Sequence, residues 1–307
     1  MISQILFKQM IELSGLMVAG YFLEKSRLFH PVFKNDLNIF VLNVTLPCLI
    51  LSSVFNSTNG SINIHELVIS VLILVILLPV AAFLCVKVIP MFKSDKGLYL
   101  FMMMYPNVGF IGFPLIKAVF GAESLMNITF INLAFNLSLF TIGILAIGYQ
   151  ADIREKFTWK KLLTPGVIAS VAAIFVYAFH IMIPDIICEP ITLIGNMTTS
   201  LAMLIIGAIA ANYSLKEIFC DWKTYLFVAI SDVCIPLAFF PLVKLVIADT
   251  EIQGITMIIL AMPIANGAAL FAKKYHCNEC LGARTICIST LLSVITIPLV
   301  VFLTGIS

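Results

Sequence analysis

Two asparagines set just after prolines in very apolar stretches are the side chains best placed to do chemistry in this chain. Asn107 lies in Pro106-Asn107-Val108-Gly109-Phe110-Ile111-Gly112-Phe113-Pro114, and Asn266 in Met262-Pro263-Ile264-Ala265-Asn266-Gly267. Proline removes a backbone donor and clashes with the preceding turn, at a cost of about 3 kcal/mol inside a helix. In hydrocarbon no water reaches the freed carbonyls, so such breaks persist only where they line a cavity or are buried in protein. A matched pair, one in each half of a chain, points to a substrate site. Where two broken helices cross, the N-terminal ends of half-helices face inward, each carrying about half a positive charge and unpaired N–H groups. That arrangement suits a carboxylate without a buried lysine or arginine, and the two asparagine amides add donors. The expected site is Pro106, Asn107 and Gly109 with Pro263, Asn266 and Gly267. Taken alone, the first break also reads as a kinked packing helix whose kink Asn107 repairs; the second break weighs against that.

Asp232, in Ala229-Ile230-Ser231-Asp232-Val233-Cys234-Ile235-Pro236, sits well inside an apolar run. An intramembrane acid costs about 3 kcal/mol and marks function by default. The expectation is an ion-coupling group, either a proton carrier or a cation ligand; the alternative is a hydrogen-bonded aspartate that joins helices. Glu12 has Lys8 four residues earlier on the same helical face and reads as an interfacial pair. Asn136 and Thr290 are further candidates for the substrate site, because their segments directly follow the broken ones. Asn43, Thr45, Asn132, Asn196, Thr198, Thr199, Ser200, Ser289 and Ser293 read as polar contacts between helices. His276-Cys277-Asn278-Glu279-Cys280 has the spacing of half a zinc site, and the sequence holds no second pair to complete it. No phosphate loop, nucleophile elbow or zinc-protease motif occurs. An aspartyl hydrolase needs two facing acids, and only Asp232 lies deep. The expectation is no enzyme, no metal or other cofactor beyond a coupling proton or sodium ion, and no nucleic-acid partner.

The elements that must hold these residues are membrane spans. Hydrophobic residues make up 61% of the chain, charged residues 11%, and the mean hydropathy is +1.10. A soluble domain carries about 25% charged residues, so these proportions cannot cover a water-facing surface. About 20 apolar residues cross a bilayer, and ten such runs are readable: 5–23, 37–55, 67–90, 98–120, 125–150, 165–184, 187–211, 225–247, 252–272 and 281–304. The first, interrupted by Lys8 and Glu12 and without a cleavage pattern, reads as a retained span rather than a secretory signal. Of the 18 Lys and Arg residues, 15 fall at the loops after spans 1, 3, 5, 7 and 9. The positive-inside bias then puts those loops in the cytoplasm and both termini outside, in a multi-pass protein of the plasma (inner) membrane.

Five spans per half insert the two halves with opposite orientation. Pro79 and Pro236 are separated by 157 residues, and so are Pro106 and Pro263. A shared offset of that kind is the mark of an inverted repeat. The expected fold is therefore an all-α integral membrane protein: ten transmembrane helices in two inverted five-helix repeats, with helices 4 and 9 broken and crossing. The repeats are 1–150 and 165–307, joined by a cytoplasmic loop at 151–164.

Four motifs carry a family resemblance over the whole chain: Asn43-Val44-Thr45-Leu46-Pro47, the two breaks, and Ser289-Thr290-Leu291-Leu292-Ser293-Val294-Ile295-Thr296-Ile297-Pro298. The chain resembles the auxin efflux carrier family, which includes bacterial malate and malonate permeases and the plant PIN auxin exporters. The resemblance implies a dimer-forming scaffold of spans 1, 2, 6 and 7. It also implies a transport domain of spans 3–5 and 8–10, moving by elevator-like alternating access. The central loop is short, which favours a permease-type member over the plant exporters, and Tyr105 stands where the plant pattern has asparagine. The expected activity is secondary transport of small organic anions, a dicarboxylate such as malate or malonate. The alternative is an uncoupled facilitator, or an exporter of a monocarboxylate or auxin-like aromatic acid.

Overall fold

The computed structural model describes residues 2–55, 63–148 and 163–306, and all their regular structure is helical. In chain order the helices are α1 (Ile2–Lys25), α2 (Val32–Phe55), α3 (Ile64–Val88), α4 (Lys96–Met104), α5 (Val108–Phe120), α6 (Leu125–Ser138) and α7 (Thr141–Gly148). They continue as α8 (Pro165–Ala178), α9 (Asp185–Ala210), α10 (Leu215–Phe219), α11 (Trp222–Val246), α12 (Thr250–Leu260), α13 (Gly267–Lys274) and α14 (Glu279–Thr304). Among the described residues, α1, α2, α3, α9, α11 and α14 are long and apolar enough to cross a bilayer, and α6 with α7, bent by 40°, makes a seventh. α5, α8 and α12 are apolar but shorter. The polar segment at 152–161 and the Asn-x-Ser/Thr triplets that begin at Asn56 and Asn59 lie outside the described residues.

α9 packs against α1 and α2 where glycine removes the obstacle to backbone contact. A Cβ on Gly207 would lie 1.8 Å from the Met17 carbonyl oxygen, and one on Gly20 would lie 2.1 Å from that of Leu204. With no hydrophobic force between helices in lipid, such close approach is a main source of packing energy.

Proline placement explains most of the irregular turns. π-turns occur at Val41–Thr45, Ile73–Leu77, Val108–Gly112 and Ile230–Cys234. The central residue of each, Asn43, Val75, Phe110 and Asp232, lies four positions before Pro47, Pro79, Pro114 and Pro236. Proline cannot donate to that carbonyl and its ring crowds it; widening the turn relieves the clash and leaves a carbonyl to be satisfied elsewhere.

The two principal breaks meet. α4 ends at Met104 and α5 starts at Val108; α12 ends at Leu260 and α13 starts at Gly267. The extended residues between them pair antiparallel, Pro106 opposite Ile264. Asn107 N–H donates to the Pro263 carbonyl at 2.8 Å, and Ala265 N–H donates to the Tyr105 carbonyl at 3.0 Å. Each break thus satisfies backbone groups that the other exposes.

Candidate functional site

Helix interruption places the first polar group. Asn107 is the N-cap of α5: its Oδ1 accepts from Phe110 N–H at 3.4 Å, and its Nδ2 donates to Asn266 Oδ1 at 3.1 Å. The Phe110 carbonyl, freed by Pro114, accepts from the Thr199 hydroxyl of α9 at 3.0 Å. Asn266 is the N-cap residue of α13 but makes no side-chain cap bond. The starts of α5 and α13, each rich in unpaired amides by helix geometry, therefore converge across one amide–amide bond.

A cavity of about 310 Å³ opens at this convergence, within the usual range for small-molecule sites. Pro106, Asn107, Gly109, Asn266 and Gly267 line its floor; Leu42 and Leu46 of α2, Phe110, Phe135 and Phe271 form apolar walls. Two asparagines of α6, one turn apart, also line it. Asn136 Nδ2 is engaged with the Asn132 carbonyl at 2.8 Å, whereas Asn132, only 3% exposed, has an Nδ2 with no hydrogen-bond partner. Asn132 is thus a member of the cavity that its sequence context did not single out. So is Lys274, the last residue of α13, which lines the mouth.

Two expected site residues lie elsewhere. Pro263 is buried behind the floor and takes part through its carbonyl. Thr290 on α14 is fully buried outside the cavity lining, and its hydroxyl has no partner. Its neighbour Ser289 makes the connection instead: Ser289 Oγ accepts from Ile264 N–H at 3.1 Å and donates to Asp232 Oδ2 at 2.7 Å. Asp232 also accepts from the Ser231 hydroxyl and is 2% exposed, outside the cavity. The acid therefore reaches the second break through one serine. Lys8 and Glu12 stand 4.0 Å apart and exposed, as an i,i+4 pair.

Proteins of known sequence place this architecture. The family model described as membrane transport protein matches residues 5–301. The chain belongs to this family. A relative in Methanocaldococcus jannaschii, the uncharacterized transporter MJ1031, is 23% identical over 294 residues, covering 92% of this chain and 94% of its own. The resemblance carried by the motifs at Asn43–Pro47, the two breaks and Ser289–Pro298 holds at family level, as a membrane transporter of the auxin efflux carrier type.

Proposed function

We propose that this membrane transporter carries small organic anions, with a dicarboxylate such as malate or malonate as its substrate. The observation that carries the reading is the floor of the cavity: two half-helix N-termini and the amides of Asn107, Asn132 and Asn266, with no carboxylate among the described lining residues. Partial positive charge and donors without an opposing acid favour an anion.

In this reading α8 and the two broken pairs α4–α5 and α12–α13 complete ten crossings, arranged as two inverted repeats, 1–150 and 165–307. The π-turns at Ile73–Leu77 and Ile230–Cys234 are offset by the same 157 residues as the two breaks, which supports the repeat. Spans 1, 2, 6 and 7 form a scaffold through which two copies dimerise, and spans 3–5 and 8–10 carry the substrate across by an elevator-like motion. Both termini face outward at the plasma membrane. Asp232, linked to the second break through Ser289, couples the motion to protons or sodium.

The aromatic walls favour a second reading, an uncoupled carrier of a monocarboxylate with an apolar or aromatic body. Uptake and current measurements on purified protein in proteoliposomes test both. Malate, malonate, lactate and indole-acetate are screened with and without proton and sodium gradients, with an Asn107→Ala, Asn266→Ala double variant as blank. Carboxylate-dependent flux lost in the double variant is the expected result. Flux that ignores both gradients and survives Asp232→Asn favours the facilitator, and silence across the panel overturns the anion reading.

A further inference from the structure

The floor and the mouth of the cavity differ in kind. The floor offers neutral amides and partial charges, whereas the mouth holds Lys274, the one charged side chain among the described lining residues. Lys274 and the floor residue Gly267 are the two ends of the same helix, α13. Seven residues at the helical rise separate them by about 10 Å along the axis. A four-carbon lysine stem is long enough to span about half of that interval when it extends toward the helix N-terminus. The ammonium itself rests against an aromatic pair: Lys274 Nζ lies 5.2 Å from the centroid of the Tyr275 ring, and that ring stacks parallel to Phe271, which lines the cavity wall.

Resting on the anion-transport reading, we propose that Lys274 is the specificity-determining residue that reads a second carboxylate. One carboxylate of the substrate binds the amide floor between the starts of α5 and α13. The other reaches up the cavity to the Lys274 ammonium, so that α13 acts as a ruler for short dicarboxylates of about three to five carbons. A monocarboxylate of the same length binds the floor alone. Neighbouring Lys273 carries the same charge on the same turn but does not line the cavity, so it contributes to the field at that helix end without contacting substrate.

The test compares uptake of succinate and butanoate, equal in length, by purified protein in proteoliposomes, using wild type, Lys274→Gln, Lys274→Arg and Lys273→Gln. Loss of a charge-assisted contact predicts that Lys274→Gln lowers the succinate-to-butanoate uptake ratio about tenfold. Butanoate uptake falls less than succinate uptake in the same sample, and elution of the purified variant at the wild-type volume in size-exclusion chromatography shows that it is folded. Lys274→Arg retains most of the preference, and Lys273→Gln leaves the ratio unchanged. An unchanged ratio in Lys274→Gln, an equal drop in Lys273→Gln, or a wild type that carries butanoate and not succinate would each overturn the role of Lys274 while leaving the anion site standing. A wild type that carries no carboxylate, or uptake that persists in the Asn107→Ala, Asn266→Ala variant, would overturn the underlying site and this role with it. If Lys274→Gln does not insert, thermal protection of solubilised Lys274→Arg and wild type by succinate against butanoate gives the same ratio. Equal protection by the two ligands in wild type overturns the proposal.

Discussion

The two breaks have similar sequences and face each other, yet they are held in different ways. The first is satisfied from its own surroundings: Asn107 caps α5, and the Phe110 carbonyl finds the Thr199 hydroxyl on α9. The second has no π-turn and no side-chain cap, and its Ile264 N–H depends on Ser289, which depends in turn on Asp232. Asn107 is 2% exposed, whereas Asn266 is half-buried at the cavity. In the inverted-repeat reading, matching positions of the two halves thus sit in different surroundings. The first break is a fixed floor, and the second is a floor wired to a buried acid.

The sharpest test of this asymmetry is the pair Asn107→Ala and Asn266→Ala. Both remove a donor from the floor, and each should lower carboxylate uptake at low substrate by at least about tenfold, the worth of a charge-assisted hydrogen bond. Both variants lose the amide–amide bond, but only Asn107→Ala also loses a cap, at about 1 kcal/mol, so that variant should melt the earlier of the two in detergent. Equal loss of stability in the two would make the breaks equivalent.

Next in size is the wiring of the second break. Ser289→Ala leaves Ile264 N–H and one Asp232 oxygen without their partner, and should destabilise the protein by about 2 kcal/mol. Thr290→Val, one residue along the same helix, removes a fully buried hydroxyl that has no partner and should leave stability unchanged or slightly raised. Thermal melts of the two variants side by side check this. If Thr290→Val is the more damaging, Ser289 is not the link.

That pair also marks the limit of what the chain alone made legible. The breaks could be read because proline and asparagine act on their own turn, whatever surrounds them. The choice between Ser289 and Thr290 could not, because successive helical residues point about 100° apart and the facing of α14 is set by its packing against α11 and the second break. The apolar run 252–272 leaves Lys274 in the loop after span 9, whereas it is the last residue of the short half-helix α13 and lines the cavity. Asn132 and Asn136 share one face of α6, and only the side-chain bond from Asn136 to the Asn132 carbonyl distinguishes the spent amide from the open one. Hydropathy found the apolar runs, but it cannot tell a continuous crossing from two half-helices of the same composition.

A smaller effect tests the first break from the other side. Thr199→Val withdraws the donor that satisfies the Phe110 carbonyl and should cost about 1 kcal/mol in thermal stability. In the elevator reading this bond joins scaffold to transport domain, so the same variant should also change the rate of exchange. A change in stability with no change in rate would make Thr199 an internal prop.

The smallest expected effect discriminates most finely, because it concerns two glycines three residues apart in the same π-turn. A Cβ on Gly109 would meet Leu46 at 3.6 Å and Asn132 Oδ1 at 3.8 Å, ordinary contacts at the cavity edge. Gly109→Ala should therefore gain part of the roughly 0.5–1 kcal/mol that alanine holds over glycine in a helix, while the added methyl group narrows the floor and lowers uptake. A Cβ on Gly112 would lie 2.8 Å from Ile128 Cδ1 and 3.4 Å from a Met262 atom behind the floor, so Gly112→Ala should lower stability through overpacking. If Gly109→Ala instead destabilises and spares transport, the space beside it is packing volume, and the substrate floor lies nearer Asn266 than Asn107.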